Sequence, residues 1–204
     1  MVEKFTNSII DIINLYRNNY SAQYYVRELS RMTNKSHATL IPHLKRLERA
    51  NILLSKTVGK NKQYRLNTNN IITKYYITIT ETVTTALYLD QVFIIKRITK
   101  DILDLNLRGT IILFGSYAKK SFHEDSDIDI YYIGALNNAQ LLKINRICRV
   151  YGKKINVKTA TIKRFEEGLR KKEPLIQEIV KNHIILQNPE PYVNMIWRLY
   201  YEQQ

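Results

Sequence analysis

The chain has 204 residues, 45% of them hydrophobic and 25% charged, which is typical of a globular protein with one domain or two small ones. Its formal net charge of +14 makes polyanions the expected partners. No run of residues reaches the ~18 apolar residues of a membrane span, and no signal peptide is expected because Asp11 and Asn14 interrupt the first apolar stretch. A single cysteine, Cys148, excludes an intrachain disulfide and fits a cytoplasmic protein.

Three helices are predicted at the start of the chain. Apolar residues recur at helical spacing over 5–19, beginning with Phe5, and again over 25–32. Ser36 is a good cap for a third helix. The inward face of that helix is formed by Leu40, Leu44 and Leu47.

Pro42 lies inside the third predicted helix, where a proline removes a hydrogen bond and costs about 3 kcal/mol. Two solutions are open. Either the regular helix begins late, with Thr39 as its cap, or the helix bends at Pro42.

Two extended runs, 52–57 and 63–66, are predicted to pair as a hairpin. The segment that joins them contains Gly59, Lys60 and Lys62. Residues 1–70 hold 12 Lys and Arg against 4 Asp and Glu, a net charge of +8, so this part is the more basic per residue.

Three helices followed by a basic hairpin resemble a winged helix-turn-helix domain, and the wording from YVRELSRMTNKSHATL to the hairpin is similar to MarR-like and archaeal regulators. The resemblance implies that the third helix enters the major groove of DNA and that the hairpin contacts the backbone or minor groove. The implied helix contacts are Ser36, His37, Thr39, His43, Lys45 and Arg46. The implied hairpin contacts are Lys60, Lys62 and Arg65.

Residues 71–105 contain no glycine or proline and carry apolar residues at helical spacing, which predicts one long helix or two helices in line. Regulators of the kind that the chain resembles commonly dimerise through such helices, which implies a homodimer on a pseudo-palindromic DNA site. The alternative is a helix that packs only on its own domain.

The remainder alternates strands and helices, which is an α/β pattern. Strands are predicted over 110–114, 127–133 and 154–158. Helices are predicted over 116–121, 137–150, 162–170, 174–183 and 189–202.

The strand over 110–114 is followed by Gly115 and Ser116, and a later strand carries Asp127 and Asp129. Side chains two residues apart in a strand point to the same face, so the two carboxylates are expected to converge. Two neighbouring carboxylates repel unless a cation lies between them, and hard oxygen ligands suit Mg²⁺ with a phosphate-bearing substrate. Gly115 allows the backbone to approach a phosphate, and the Ser116 hydroxyl can bind its oxygens.

The wording GSYAKKSFHEDSDIDIYYIG resembles the signature of the DNA-polymerase-β-like nucleotidyltransferase superfamily, in particular its minimal members. The resemblance implies Mg²⁺ bound by Asp127 and Asp129, and a nucleoside triphosphate as the cofactor, with ATP the expected one. It further implies that Gly115 and Ser116, helped by Lys119 or Lys120, hold the triphosphate.

A third carboxylate on a later strand completes the site in active members of that superfamily. The matching position here is Asn156, with Lys158 as the next inward residue. An asparagine binds Mg²⁺ only weakly and cannot act as a base, so the acidic set is incomplete.

The sequence therefore predicts an α/β (α+β) protein of three parts: a winged helix-turn-helix domain over 1–70, a helical connector over 71–106 and a nucleotidyltransferase fold with a small mixed sheet over 107–204. The first hypothesis is a regulator that binds double-stranded DNA and carries a nucleotidyltransferase-like domain. The second is an active enzyme, tethered to DNA, that transfers a nucleoside monophosphate to a hydroxyl of RNA or of a protein partner such as a toxin. A third and weaker hypothesis is RNA modification, with the basic first part holding tRNA.

Overall fold

The computed structural model describes residues 6–201, which form ten helices and two small sheets. The α/β fold class is therefore confirmed. The chain divides into two compact units. The first unit contains the residues up to Val83 and those from Ile196 onward, and the second is Thr84–Met195. Phe5, which was assigned to the first predicted helix, lies outside the described residues.

The first unit contains three short helices and a three-stranded antiparallel sheet. Its elements are α1 (Asn7–Asn14), β1 (Gln23–Tyr25), α2 (Val26–Thr33), α3 (His37–Arg49), β2 (Leu53–Val58), β3 (Asn61–Leu66) and the first part of α4 (Ile71–Gln91). The strand order is β1-β3-β2. Helix α3 buries the predicted side chains Leu40, Leu44 and Leu47.

Helix α3 begins as the Ser36 cap predicts, because the Ser36 hydroxyl accepts a hydrogen bond from the Thr39 amide at 3.1 Å. The alternative of a late start with Thr39 as the cap is wrong. Pro42 lies inside the helix on its exposed side and has no N–H to donate to the Ala38 carbonyl.

Three sequence predictions in the first unit need correction. Helix α1 ends at Asn14 rather than at residue 19, and the residues that follow form turns. Strand β1, which pairs with β3, was missed because three residues are too few to show a strand pattern. The hairpin between β2 and β3 has a two-residue turn, Gly59-Lys60, so β2 is shifted by one residue and β3 begins at Asn61, two residues earlier than predicted.

A buried ion pair ties the middle of α4 to the residues after α1. The guanidinium of Arg17 donates to the Glu81 carboxylate at 2.7 and 3.0 Å, and both side chains are almost fully buried. A buried charge pair of this kind is tolerated only when both charges are present, so the pair fixes this half of α4 within the first unit.

The second unit is a four-stranded mixed sheet with helices. Its elements are the rest of α4, α5 (Phe93–Leu103), β4 (Thr110–Phe114), α6 (Gly115–Lys119), β5 (Ile128–Ile133), α7 (Asn138–Val150), β6 (Ile155–Ala160), α8 (Ile162–Arg170), α9 (Pro174–Lys181), β7 (Ile184–Gln187) and the first part of α10 (Pro189–Tyr201). The strand order is β6-β5-β4-β7, with β5 and β6 parallel and the other pairs antiparallel. The mixed sheet that the sequence predicted is therefore present.

One apolar core joins α5 and α7 to one face of this sheet. It includes Ile95 and Ile98 of α5, Ile144 of α7, and Ile111 and Ile130 of the sheet. The predicted helical connector is two helices, because the helical backbone breaks at Val92. Cys148 is a buried, unpaired cysteine, and burial raises the pKa of its thiol to about 12.

Strand β7 was not predicted: its four residues fall between the helices predicted over 174–183 and 189–202, and its consecutive apolar residues show no alternation. Helix α9 ends at Lys181 instead of residue 183, and α6 begins at Gly115, one residue early. Of the helices formed by residues 6–201, none combines the length and the apolar character that crossing a bilayer would take.

Candidate functional site

The candidate site lies at one end of the mixed sheet. Asp129 is on β5, and the strand register places it opposite Phe114 of β4 and beside Asn156 of β6. Asp127 comes directly before β5 rather than within it, a small correction to the predicted strand. Ile128 nevertheless donates its amide to the Lys154 carbonyl at 2.9 Å, which holds the approach to β5 against β6.

The two carboxylates converge on the side-chain amide of Asn156. Its Nδ2 atom donates to Asp129 Oδ1 at 3.1 Å and to Asp127 Oδ2 at 3.4 Å. Asn156, where the superfamily resemblance places a third acid, is therefore next to the aspartate pair. A neutral amide donor, rather than the ammonium of Lys158, bridges the two acids.

Gly115 is required by the close approach of the backbone to Asp129. Its φ of +69° favours glycine, and a Cβ built at this position would lie 2.2 Å from Asp129 Oδ2. Any larger residue would have to displace the carboxylate. The turn into α6 and the position of Asp129 are thus fixed together.

An open cleft of about 580 Å³ lies at this site. It is lined by Phe114, Gly115, Asp129, Leu141, Asn145, Ile155, Asn156, Val157, Lys158, Leu175 and Glu178. Helices α7 and α9 therefore provide its walls. The sequence gave no reason to include Asn145 or Glu178, because each comes from a helix that only the tertiary fold brings to the strand ends.

The two lysines expected to help hold a triphosphate differ in their surroundings. Lys119 forms an ion pair with Glu178 at 2.6 Å, so its ammonium lies at the edge of the cleft. Lys120 has a left-handed backbone, donates to the Gln91 side chain and lies 5.8 Å from the centre of the Tyr88 ring. The residues that line the cleft include Lys158 but neither Lys119 nor Lys120.

The side chains at the site determine which metal ion they could bind. Within residues 6–201 there is no group of three or more His, Cys, Asp or Glu side chains placed to hold one. The cluster offers two carboxylates and an amide, and Mg²⁺ is commonly bound by one or two carboxylates together with substrate phosphates. The residues present therefore fit Mg²⁺ that arrives with a nucleotide.

The residues proposed to contact DNA all lie in the first unit. On α3 and its cap, the exposed members are Ser36, His37, Thr39 and Lys45. His43 and Arg46 are only half-exposed, which makes them poorer candidates. The exposed face also includes Ile41. Ile41 was not among the expected DNA contacts, because apolar residues on an amphipathic helix are expected to point inward.

The three hairpin residues are not equivalent. Lys60 lies in the turn and is exposed, whereas Arg65 lies near the far end of β3, opposite Leu54. Lys62 forms an ion pair with Glu48 of α3 at 2.7 Å. Its hydrogen bond, and a second one from Ser55, lower the pKa of the Glu48 carboxyl. Glu48 therefore joins α3 to the hairpin and reduces the charge that Lys62 offers to a partner.

Residues 95–186 match a family model described as a nucleotidyltransferase domain. Among curated proteins, none matches the chain. One similar solved structure is described as the crystal structure of a toxin-antitoxin with AMP-PNP. It is 18% identical, the match covers 50% of this chain and 82% of that chain, and the TM-score is 0.34. A likeness this weak supports no conclusion about fold or function.

Gly115, Asp127, Asp129 and Asn156 all fall inside the segment that matches the family model. The mixed sheet, its flanking helices and this match agree with one another. The second unit therefore has a nucleotidyltransferase-like fold.

Proposed function

We propose that the second unit binds a nucleoside triphosphate with Mg²⁺ and transfers the nucleoside monophosphate to a hydroxyl group. The observation that carries the proposal is the convergence of Asp127 and Asp129 on Asn156, beside a glycine that has no room for a side chain. An acid pair of which Asp129 lines an open cleft, next to a tight backbone turn, suits a phosphate substrate that arrives with its cation.

In this proposal Asp127 and Asp129 hold the metal ion, which when bound neutralises charge on the phosphates. Asn156 bridges the two carboxylates through its N–H groups. Rotation of the amide would offer its carbonyl oxygen to a cation instead. Gly115 and Ser116 would bind the phosphates through the backbone and the hydroxyl, and Lys158 is the cleft lysine best placed to help.

The proposed step joins the acceptor oxygen to the α-phosphorus and breaks the bond from that phosphorus to the pyrophosphate oxygen. Pyrophosphate leaves, and the hydroxyl proton passes to a carboxylate of Asp127 or Asp129. Asn156 cannot accept this proton, so Asp127 and Asp129 have to both bind the cation and assist the proton transfer. A slow enzyme is the expected result, because general base catalysis contributes about 10²–10⁴-fold.

We further propose that the first unit is a winged helix-turn-helix domain that binds double-stranded DNA. The order of its helices and its antiparallel strands fits such a domain, and exposed Lys45 and Lys60 lie on α3 and at the hairpin turn. On α4 an exposed apolar row of Ile72, Tyr75 and Ile79 would suit a second copy of the chain, as a homodimer requires. The proposed enzyme would then act while it is bound to DNA.

The acid pair is tested by calorimetric titration with Mg²⁺-ATP and by transfer of label from ATP. Asp127→Asn/Asp129→Asn should lose binding and transfer, because the cation loses both carboxylates. Asp125→Asn, an exposed acid of the same loop, is the matched control and should keep both. Asn156→Asp should increase transfer, since it adds a third carboxylate. Equal labelling by the wild type and the double variant would exclude catalysis at this site.

Gly115→Ala tests the close approach to Asp129. Gly115 and Gly152 both have a left-handed backbone, but nothing lies within 4 Å of a Cβ built at Gly152. Both alanine variants therefore suffer the same backbone strain, roughly 1–2 kcal/mol. Only Gly115→Ala should also weaken Mg²⁺-ATP binding, by at least about tenfold, as the titration would measure. Nucleotide affinity that is equal in the two variants would show that Asp129 tolerates displacement.

DNA binding is tested by electrophoretic shift with the upstream region of the gene at several salt concentrations. Lys60→Met should lower the slope of log K against log salt by about 0.9, the value for one phosphate contact. Lys62→Met should change the slope less, because Glu48 already neutralises Lys62. Two chains per DNA site are expected. The absence of any shift at low salt would remove the DNA-binding proposal and leave the enzyme proposal intact.

A further inference from the structure

The outer face of α7 is strongly basic. Between Asn138 and Val150 the helix contains no Asp or Glu, and its three basic residues are all exposed. These are Lys143, Arg146 and Arg149. Leu142 and Val150, 68% and 75% exposed, lie on the same side. None of these five side chains is needed for the apolar core or for the acid pair.

An exposed ring and a guanidinium lie next to this face, on α5. Phe93 is 67% exposed, and the Arg97 guanidinium carbon is 5.5 Å from its ring centre and 5.7 Å from that of Tyr151. Tyr151 follows α7 and donates its hydroxyl to Asp101 of α5 at 2.7 Å. This hydrogen bond joins the end of α7 to α5, which also carries Phe93 and Arg97. Lys100, also exposed, continues the basic surface along α5.

The basic face of α7 also borders the nucleotide cleft. Leu141 and Asn145 line the cleft, and Arg149 lies one helical turn beyond Asn145. Helix α7 thus has the cleft on one side and the Phe93, Arg97 and Tyr151 side chains on the other. A partner that covers this face would lie against the mouth of the cleft.

We infer that the α5–α7 face, formed by Phe93, Arg97, Lys143, Arg146 and Arg149, is a binding surface for single-stranded nucleic acid. The basic residues match a chain of phosphates. The exposed ring with its neighbouring guanidinium matches the flat face of an unpaired base, which an acidic protein surface or a closed duplex does not offer. The surface is separate from the proposed DNA contacts of α3 and does not depend on the nucleotide site being active.

The test measures fluorescence anisotropy of labelled single strands, as RNA and as DNA, with the full-length protein. Each strand has about 12 nucleotides, a length within the range covered by known single-strand sites. The Lys143→Glu/Arg146→Glu/Arg149→Glu variant should lower the salt slope by about 2, from three phosphate contacts at about 0.7 each, and weaken binding at least about tenfold near 0.1 M salt. Phe93→Ala should weaken binding roughly tenfold through the loss of stacking on one base.

A charge-matched control separates this surface from general attraction to a basic protein. Lys163→Glu/Lys171→Glu/Lys181→Glu removes the same charge from exposed positions of the second unit and should leave most of the affinity. Lys45→Glu/Lys60→Glu should also retain affinity for the RNA strand, since the α5–α7 face includes neither residue.

The RNA and DNA arms identify which strand is preferred, and either preference supports the surface. The inference would be overturned by equal losses of affinity in the two charge-reversed triple variants, or by an unaltered affinity in Phe93→Ala. It would also be overturned if an acidic peptide bound the protein as tightly as the single strands do. Asp127→Asn/Asp129→Asn should bind strands at least as well as the wild type. Failure of the nucleotide site is therefore distinguishable from failure of this surface.

Discussion

The close approach of Gly115 to Asp129 is the constraint on which the rest of the site depends. Antiparallel pairing sets Phe114 opposite Asp129, and the chain must then turn away at once because a carboxylate fills the space where a Cβ would be. The left-handed backbone at Gly115 makes that turn and begins α6. The end of β4, the start of α6 and the acid of β5 therefore hold one another in position.

The third position of the cluster shows how charge is balanced. Asn156 lies beside Asp129 on the parallel strand β6 and donates to both acids. A neutral amide can satisfy two carboxylates by hydrogen bonds, whereas a third carboxylate would add to their repulsion. The cluster thereby offers hard oxygen ligands to a cation.

The convergence of Asp127 and Asp129 was predictable from the sequence because its signal is local. A run of apolar residues defined β4 over Thr110–Phe114, and the spacing of the two aspartates set their common direction. Sequence patterns did not predict the positions of residues that depend on tertiary structure. Lys120 is close to Gly115 in sequence, but its side chain reaches Gln91. Glu178 reaches the cleft from α9, far along the chain, and β7 has no alternating pattern to distinguish it from a helix end.

We propose that Asp127, Asp129 and Gly115 form a site for a nucleotide and its metal ion. Crystals grown with Mn²⁺ and a non-hydrolysable ATP analogue test it directly, because Mn²⁺ replaces Mg²⁺ at oxygen sites and scatters anomalously. We expect an anomalous peak between the two carboxylates, with the phosphates against Gly115 and Ser116. A saturated crystal without that peak, or with nucleotide bound elsewhere, would contradict it.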